Sequence, residues 1–242
     1  MDICALVLSA GKGRRMNTDI AKCAYPFLGK PIITYIIDTL KNMNIDTCVV
    51  VGYKKEQIMD ILKDSVSYAY QPIINGTAGA VKAAKTYWKN KNGIILIMLG
   101  DMPLIDQEII KKLITTHLNE HNDLTIATTI LDNPTGYGRI IKNNKIIIRE
   151  EKDATKSEKL IKEVNSGLFV INKEALDIAI DKIENNNNQK EYYITDIVSI
   201  LSENKKVSTC LFKESKKLMG INNIETLKKL EEIIWKKNNY RL

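Results

Sequence analysis

The 242-residue sequence contains no apolar run approaching the roughly 20 residues that cross a bilayer. With 27% charged and 44% hydrophobic residues, it is expected to be soluble, with no membrane partner. It does not open with a basic stretch, a short apolar core and a small-residue cleavage site. Asp2 leads directly into a strand-like run, so secretion is not expected. Cysteine is sparse: Cys4, Cys23, Cys48 and Cys210 lie far apart with no C-x-x-C pair, and three sit in or beside apolar runs. Such cysteines suit reduced core thiols in a cytoplasmic protein. Histidine is rarer still. His117 and His121 are spaced i and i+4 without a third ligand, so they are expected on a helix surface rather than on a metal. Arginine is scarce for a chain of net charge +7. The positive charge is mostly lysine spread over every predicted helix, for instance in "KKLITTHLNEHND" and "ETLKKLEEIIWKK". That distribution describes a solvated surface and argues against a nucleic-acid partner. Two of the few arginines, Arg14 and Arg15, share one loop near the N-terminus.

Apolar runs rich in Val, Ile and Leu alternate with stretches of helical period, as in a mostly parallel sheet covered on both faces. "ICALVLS", "DTCVVVG", "VSYAY", "GIILIML" and "LTIATTIL" are predicted strands. "PIITYIIDTLKNM", "KEQIMDILK", "GTAGAVKAAKTYW" and "DQEIIKKLITTHLNEH" are predicted helices between them. From "NPTGYGR" onward the elements shorten into an α+β elaboration, with "IIKNNKIIIRE" a hairpin around Asn-Asn. The tract Asn185 to Asn188 is expected as an exposed loop, and "IETLKKLEEIIWKKN" as a closing amphipathic helix. The fold class expected is α/β, a Rossmann-like, mostly parallel mixed sheet flanked by helices, in one domain.

The loop "LSAGKGRRM" after the first strand is glycine-rich and basic. In an open α/β sheet, such a turn surrounds an anion with backbone N–H groups at the carboxyl edge. A Walker loop would need Gly-Lys-Ser/Thr where Arg14, Arg15 and Met16 stand. A dinucleotide fingerprint would need a small residue at Met16 and an acid after strand two, where Val51, Gly52 and Tyr53 lie. Both are rejected. Lys12, Arg14 and Arg15 carry enough charge for a triphosphate, though the loop alone is equally a plain surface turn.

"LSAGKGRRM" followed by "AKCAYPFLGKPII" resembles the signature of the sugar-1-phosphate nucleotidyltransferases. "QPIINGTAGAV", "LGDMPLI", "TGYGRI", "EEKDAT", "VNSGLFV", "EYYITDIV" and "GINN" follow in order, so the resemblance covers the whole chain. "TGYGRI", the asparagine tract and "GINN" together resemble the uridyltransferase domain of bacterial N-acetylglucosamine-1-phosphate uridyltransferases. The nucleotidyltransferase fold implied would place a nucleotide-binding half at 1–131, a sugar-binding half at 132–223 and a C-terminal helix at 224–242.

The reaction implied joins UTP and N-acetylglucosamine 1-phosphate with release of pyrophosphate, and the cofactor implied is Mg²⁺. The resemblance puts Leu8, Ser9, Ala10 and Gly11 against the nucleotide, Arg15 on the triphosphate, and Lys22 near the α-phosphate and sugar phosphate. Arg15 and Lys22 are the implied catalytic cations, and Arg14 is left to solvent. Gln71, Gly76 and Thr77 would surround the base, with Thr77 equally a helix cap. Asp101 would be an Mg²⁺ ligand, a hard oxygen for a hard cation, or else a cap for the following helix. Asn222 would be the second ligand, with Asn223 the nearer helix cap. Gly138, Glu150 and Asn165 would read the sugar, Glu150 being preferred over Glu151 by alignment. Leu99 stands before Gly100 where the family often has Tyr or Ser, which leaves it a backbone contact.

Full-length relatives in that family continue into a β-helix carrying acetyltransferase activity. The sequence stops at Leu242, so the chain is expected to be either a stand-alone uridyltransferase or a cut-down piece, with acetyl transfer absent and a separate acetyltransferase chain a candidate partner. Two alternatives are a nucleotidyltransferase for another hexose 1-phosphate or NTP, and a non-catalytic module that only binds sugar nucleotides. A glycosyltransferase is disfavoured because Asp101-Met102-Pro103 replaces Asp-x-Asp.

Overall fold

The computed structural model describes residues 2–239. β1 (Ile3–Ser9), β4 (Asp46–Val51), β5 (Ser67–Tyr70) and β6 (Ile94–Leu99) pair in parallel, in the spatial order β6-β1-β4-β5. Between β1 and β4 lie a two-stranded ribbon of β2 (Pro26–Phe27) and β3 (Lys30–Pro31) and helix α1 (Ile32–Asn42). α2 (Lys55–Leu62) precedes β5, and α3 (Thr77–Ala83) and α4 (Lys85–Trp88) precede β6. α5 (Gln107–Asn119) then leads to β7 (Leu124–Ile130) and to the hairpin of β8 (Arg139–Lys142) and β9 (Ile146–Arg149). The long β10 (Glu163–Asn172) runs antiparallel between β6 and β7. α6 (Lys173–Ile180), α7 (Asp196–Leu201), the edge strand β11 (Val207–Phe212), parallel to β7, and α8 (Ile224–Asn239) complete the described chain. Residues 240–242 of the expected 224–242 helix lie outside the described residues.

Two-sided burial explains the unbroken apolar strands. Along β1, Cys4, Leu6 and Leu8 enter one core with Val81 and Trp88 of α3 and α4 and with Leu176 of α6. Ala5 and Val7 enter the opposite core with Ile33, Ile36 and Leu40 of α1 and Leu113 of α5. A third, smaller core joins Met16, Phe27 and Ile32 near the chain start to Ile221, Leu227 and Leu230. Asp106 caps α5 by accepting from Ile109 N–H at 3.1 Å, and Asn223 accepts from Thr226 N–H at 2.7 Å at the start of α8. No helix among the described residues is long and apolar enough to cross a membrane.

Two local expectations are corrected. "GTAGAVKAAKTYW" forms two helices because the backbone turns at Ala84, φ −88° and ψ 9°, which seats Trp88 fully in the core with its indole N–H on Val81 O at 3.0 Å. His117 is buried rather than on the helix surface. It shares the inward phase of Ile110, Leu113 and Ile114, and its ring nitrogens lie 3.0 Å from Thr125 Oγ1 and 3.0 Å from Asn172 Oδ1. His121 is exposed past the end of α5, at φ 51°.

Candidate active site

The parallel strands end on one edge of the sheet, and the loop after β1 leaves from there. Gly13, at φ +56°, sits in the left-handed region, where glycine avoids a Cβ clash. A Cβ on it would lie 2.7 Å from the Cβ of Lys22. Its carbonyl accepts Met16 N–H at 2.8 Å in a short 3-10 turn, Arg14–Met16, that sinks Met16 into the third core. Arg14 and Arg15 are left exposed on the turn. Arg15 Nη2 donates to Asn222 Oδ1 at 3.2 Å, across 207 positions of sequence.

The Lys22 ammonium donates to Asp101 Oδ2. Their side chains are 20% and 5% exposed, so this pair is far better shielded than the surface ion pairs. Burial alone would lower the lysine's pKa, but the adjacent Asp101 carboxylate outweighs it and holds the ammonium above its ordinary value. Asp101 Oδ1 is buried and has no protein partner among the described residues. The Asp101 carbonyl accepts Ile221 N–H at 2.8 Å, which docks the "GINN" segment beside the carboxylate. Asp101 is therefore not a helix cap; Asp106 has that role.

Gln71, buried at the end of β5, donates through Nε2 to Asn75 Oδ1 and to Gly76 O, 3.1 Å each, which leaves its carbonyl oxygen for a ligand. Gly76, at φ +115°, packs so closely on Tyr192 that a Cβ would lie 2.4 Å from that carbonyl oxygen. The Thr77 hydroxyl does not cap α3; it accepts the N–H of Ile194 at 2.9 Å. Beyond it lie Gly138, Asn165 and Glu150. Asn165 N–H donates to Gly138 O at 2.9 Å, and Glu150 Oε1 accepts from Thr195 Oγ1 at 2.9 Å. Burial, which dominates, and the nearby Asp196 and Asp153 push the Glu150 carboxyl up against the lowering effect of that bond. Glu151 faces elsewhere, pairing with Arg139 at 2.7 Å and accepting Gly136 N–H at 3.1 Å. The geometry favours Glu150 as the cavity-side acid.

All of this opens on one cavity of about 790 Å³. Every site residue singled out from the sequence lines it except Gly100, which is buried behind the wall with its N–H on Leu8 O at 2.9 Å. Leu99 contributes an apolar side chain beside Gly167. Arg14 is exposed and also borders the cavity. The asparagine tract is a loop at the surface as expected, and it is tied down: Asn188 lines the cavity, and its side chain and backbone N–H donate to Lys152 O at 2.8 Å and Asp153 Oδ1 at 2.9 Å. Tyr137, Tyr193 and Thr195 line the cavity but were not singled out from the sequence. Tyr137 lies within "GYGR", and Tyr193 and Thr195 within "EYYITD", so the motifs carried the signal without ranking the residues.

Residues 4–236 match the family model described as Nucleotidyl transferase. The chain belongs to the nucleotidyl transferase family. This nucleotidyl transferase is 38% identical over 234 residues to a bifunctional protein GlmU of Acholeplasma laidlawii, matching 95% of the chain and 51% of the relative. It is 41% identical over 237 residues to a bifunctional protein GlmU of Thermosipho melanesiensis, matching 98% of the chain and 52% of the relative. The chain thus spans about half the length of the curated relatives it matches. A crystal structure of UDP-glucose pyrophosphorylase complexed with UDP-glucose superposes with a TM-score of 0.78 at 17% identity, covering 98% of this chain and 100% of that one. That likeness bears out the expected α/β fold.

Proposed function

We propose that this nucleotidyl transferase moves UMP from UTP to N-acetylglucosamine 1-phosphate, giving UDP-N-acetylglucosamine and pyrophosphate. The observation that carries this reading is a single cavity with cations and a buried carboxylate at one end and a hydroxyl-reading set at the other. Arg15 and Lys22 stand at the first end with Asp101 and Asn222; Glu150, Asn165 and Gly138 stand at the second. A sugar-phosphate oxygen attacks the α-phosphorus and pyrophosphate leaves, so the protein's work is alignment and neutralisation of charge. Lys22, kept charged by Asp101, is suited to hold the α-phosphate between the two reactants. Arg15, exposed on its turn and steadied by Asn222, is suited to follow the leaving pyrophosphate. The free carbonyl oxygen of Gln71 can accept the N3–H of uracil.

The unpartnered Asp101 Oδ1 and the nearby amide oxygen of Asn222 fit a divalent cation. A Mg²⁺ ion held by so few protein oxygens would complete its shell with water and phosphate oxygens, as this cation commonly does. When bound, it would neutralise phosphate charge during transfer.

The test is a panel of the four common NTPs against several sugar 1-phosphates with pyrophosphate detection, in the presence and absence of EDTA. UTP with N-acetylglucosamine 1-phosphate should give the fastest release, and EDTA should abolish it. Faster release with another pair would reassign the substrates. Absence of release with every pair, despite nucleotide binding, would favour a binding module.

A further inference from the structure

Thr195 stands immediately before α7, where a threonine hydroxyl ordinarily accepts a backbone N–H of the first helical turn. Here it makes no such cap. The side chain is buried, 5% exposed, and its hydroxyl is turned away from its own helix to donate to Glu150 Oε1 at 2.9 Å. The residue before it is fixed by the start of α3, because Ile194 N–H is held by the Thr77 hydroxyl at 2.9 Å. Thr195 is therefore clamped in sequence and in space, and its single proton is committed to the carboxylate. The Glu150 carbonyl accepts the N–H groups of Asp153 and Ala154 at 3.0 Å each, but among the described residues no donor other than Thr195 reaches its carboxylate, so Oε2 is free for a ligand of the cavity that Glu150 lines.

From this geometry we infer that Thr195 is a positioning residue, which fixes the rotation of the Glu150 carboxylate so that one oxygen is presented to hydroxyl or amide donors of the sugar. The inference rests on the proposed function for the sugar itself but not for the hydroxyl–carboxylate link. The groups around this carboxylate are Asp153 on the same loop, Asp196 in the first turn of α7 and Tyr193, with Lys152, Arg149 and Lys182 on the adjoining walls. The two aspartates disfavour a charged Glu150, and burial does so more strongly. A hydroxyl donating to the charged form opposes both. Removing it is thus expected to affect the acid's titration as well as its aim.

The experiment compares wild type with Thr195→Val and Thr195→Ser. In ligand-free protein, the Glu150 side-chain carboxyl is followed by ¹³C NMR, its signal assigned by its loss in Glu150→Gln. The valine variant should titrate at higher pH than wild type, and serine should restore the wild-type midpoint. In turnover with the sugar phosphate that the panel identifies, Thr195→Val should raise KM for the sugar phosphate about tenfold, the scale of one lost hydrogen bond to a charged group. kcat and KM for the nucleotide should stay within about twofold, and serine should recover most of the loss. Thr195→Ala carries the same test should the valine variant not fold. An unchanged titration midpoint would overturn the inference, as would an unchanged sugar-phosphate KM or a uniform fall in kcat. A wild type that turns over no sugar phosphate would defeat the proposed function alone, since the titration stands without it.

Discussion

Lys22 is constrained from two sides, by the Asp101 carboxylate at its tip and by Gly13 at its base. Gly13→Ala would put a side chain at φ +56° and 2.7 Å from the Lys22 Cβ. It should cost about 1–2 kcal/mol of stability from the left-handed backbone alone. It should also reduce pyrophosphate release at least about tenfold, because small misplacements of a reacting group are costly; thermal melts and steady-state assays check the two effects. Asp101→Asn should leave the buried ammonium without its counter-charge and remove the proposed cation ligand, with an expected loss of at least about a hundredfold in kcat. Wild-type turnover in that variant would remove Asp101 from the proposed chemistry. These residues were legible in the sequence because their neighbours in the chain are unusual: paired glycines with arginines, or a Gly-Asp-Met-Pro closing a buried strand. Tyr137 and Thr195 were not, since their roles depend on which partner the fold brings to a common phenol or hydroxyl.

The ribbon β2–β3 turns through Leu28 and Gly29, at φ 46° and 82°. A two-residue turn with both angles positive suits Asn-Gly, and a leucine there carries a left-handed penalty. Leu28 is 43% exposed, and its N–H is held by Glu231 of α8 at 2.9 Å. Leu28→Asn should keep that bond and raise stability by up to about 1 kcal/mol, measured by urea unfolding. His117 ties α5 to β7 and β10, and burial holds its pKa below the ordinary 6.5. The native state therefore binds fewer protons than the unfolded chain as pH drops through 6.5. Stability is full above that pH and falls below it. Unfolding at pH 7.5 and 5.5 should show the loss, and His117→Gln should flatten it. The parallel strands and the long helices were readable because both strand faces are buried and the helical phase is strong. β10 was not read as a strand: "EVNSGLFVIN" has polar and glycine residues at its centre, where the register shifts between Asn165 and Phe169. Its antiparallel placement comes from its neighbours rather than from its pattern.

At the scale of the whole molecule, all four cysteines are free and buried, as the apolar settings of three of them suggested. Burial pushes Cys4 and Cys23 up to about 11 and Cys48 up to about 12, so native thiols should resist alkaline modification. A thiol-reactive disulfide at pH 8 should label fewer than one cysteine per native chain on the order of minutes, and all four in denaturant. The contact between Arg15 and Asn222 has a different kind of consequence. It closes a span of 207 positions, whereas the first parallel strands pair over much shorter ones. Long loops close late because their ends must first be brought together against chain entropy. During refolding, ellipticity should therefore recover before nucleotide affinity does, and the affinity serves as a clock for the last segment to arrive. Under the proposed function, nucleotide binding would in turn draw that segment in by mass action, and the molecule would be most completely assembled while it is occupied.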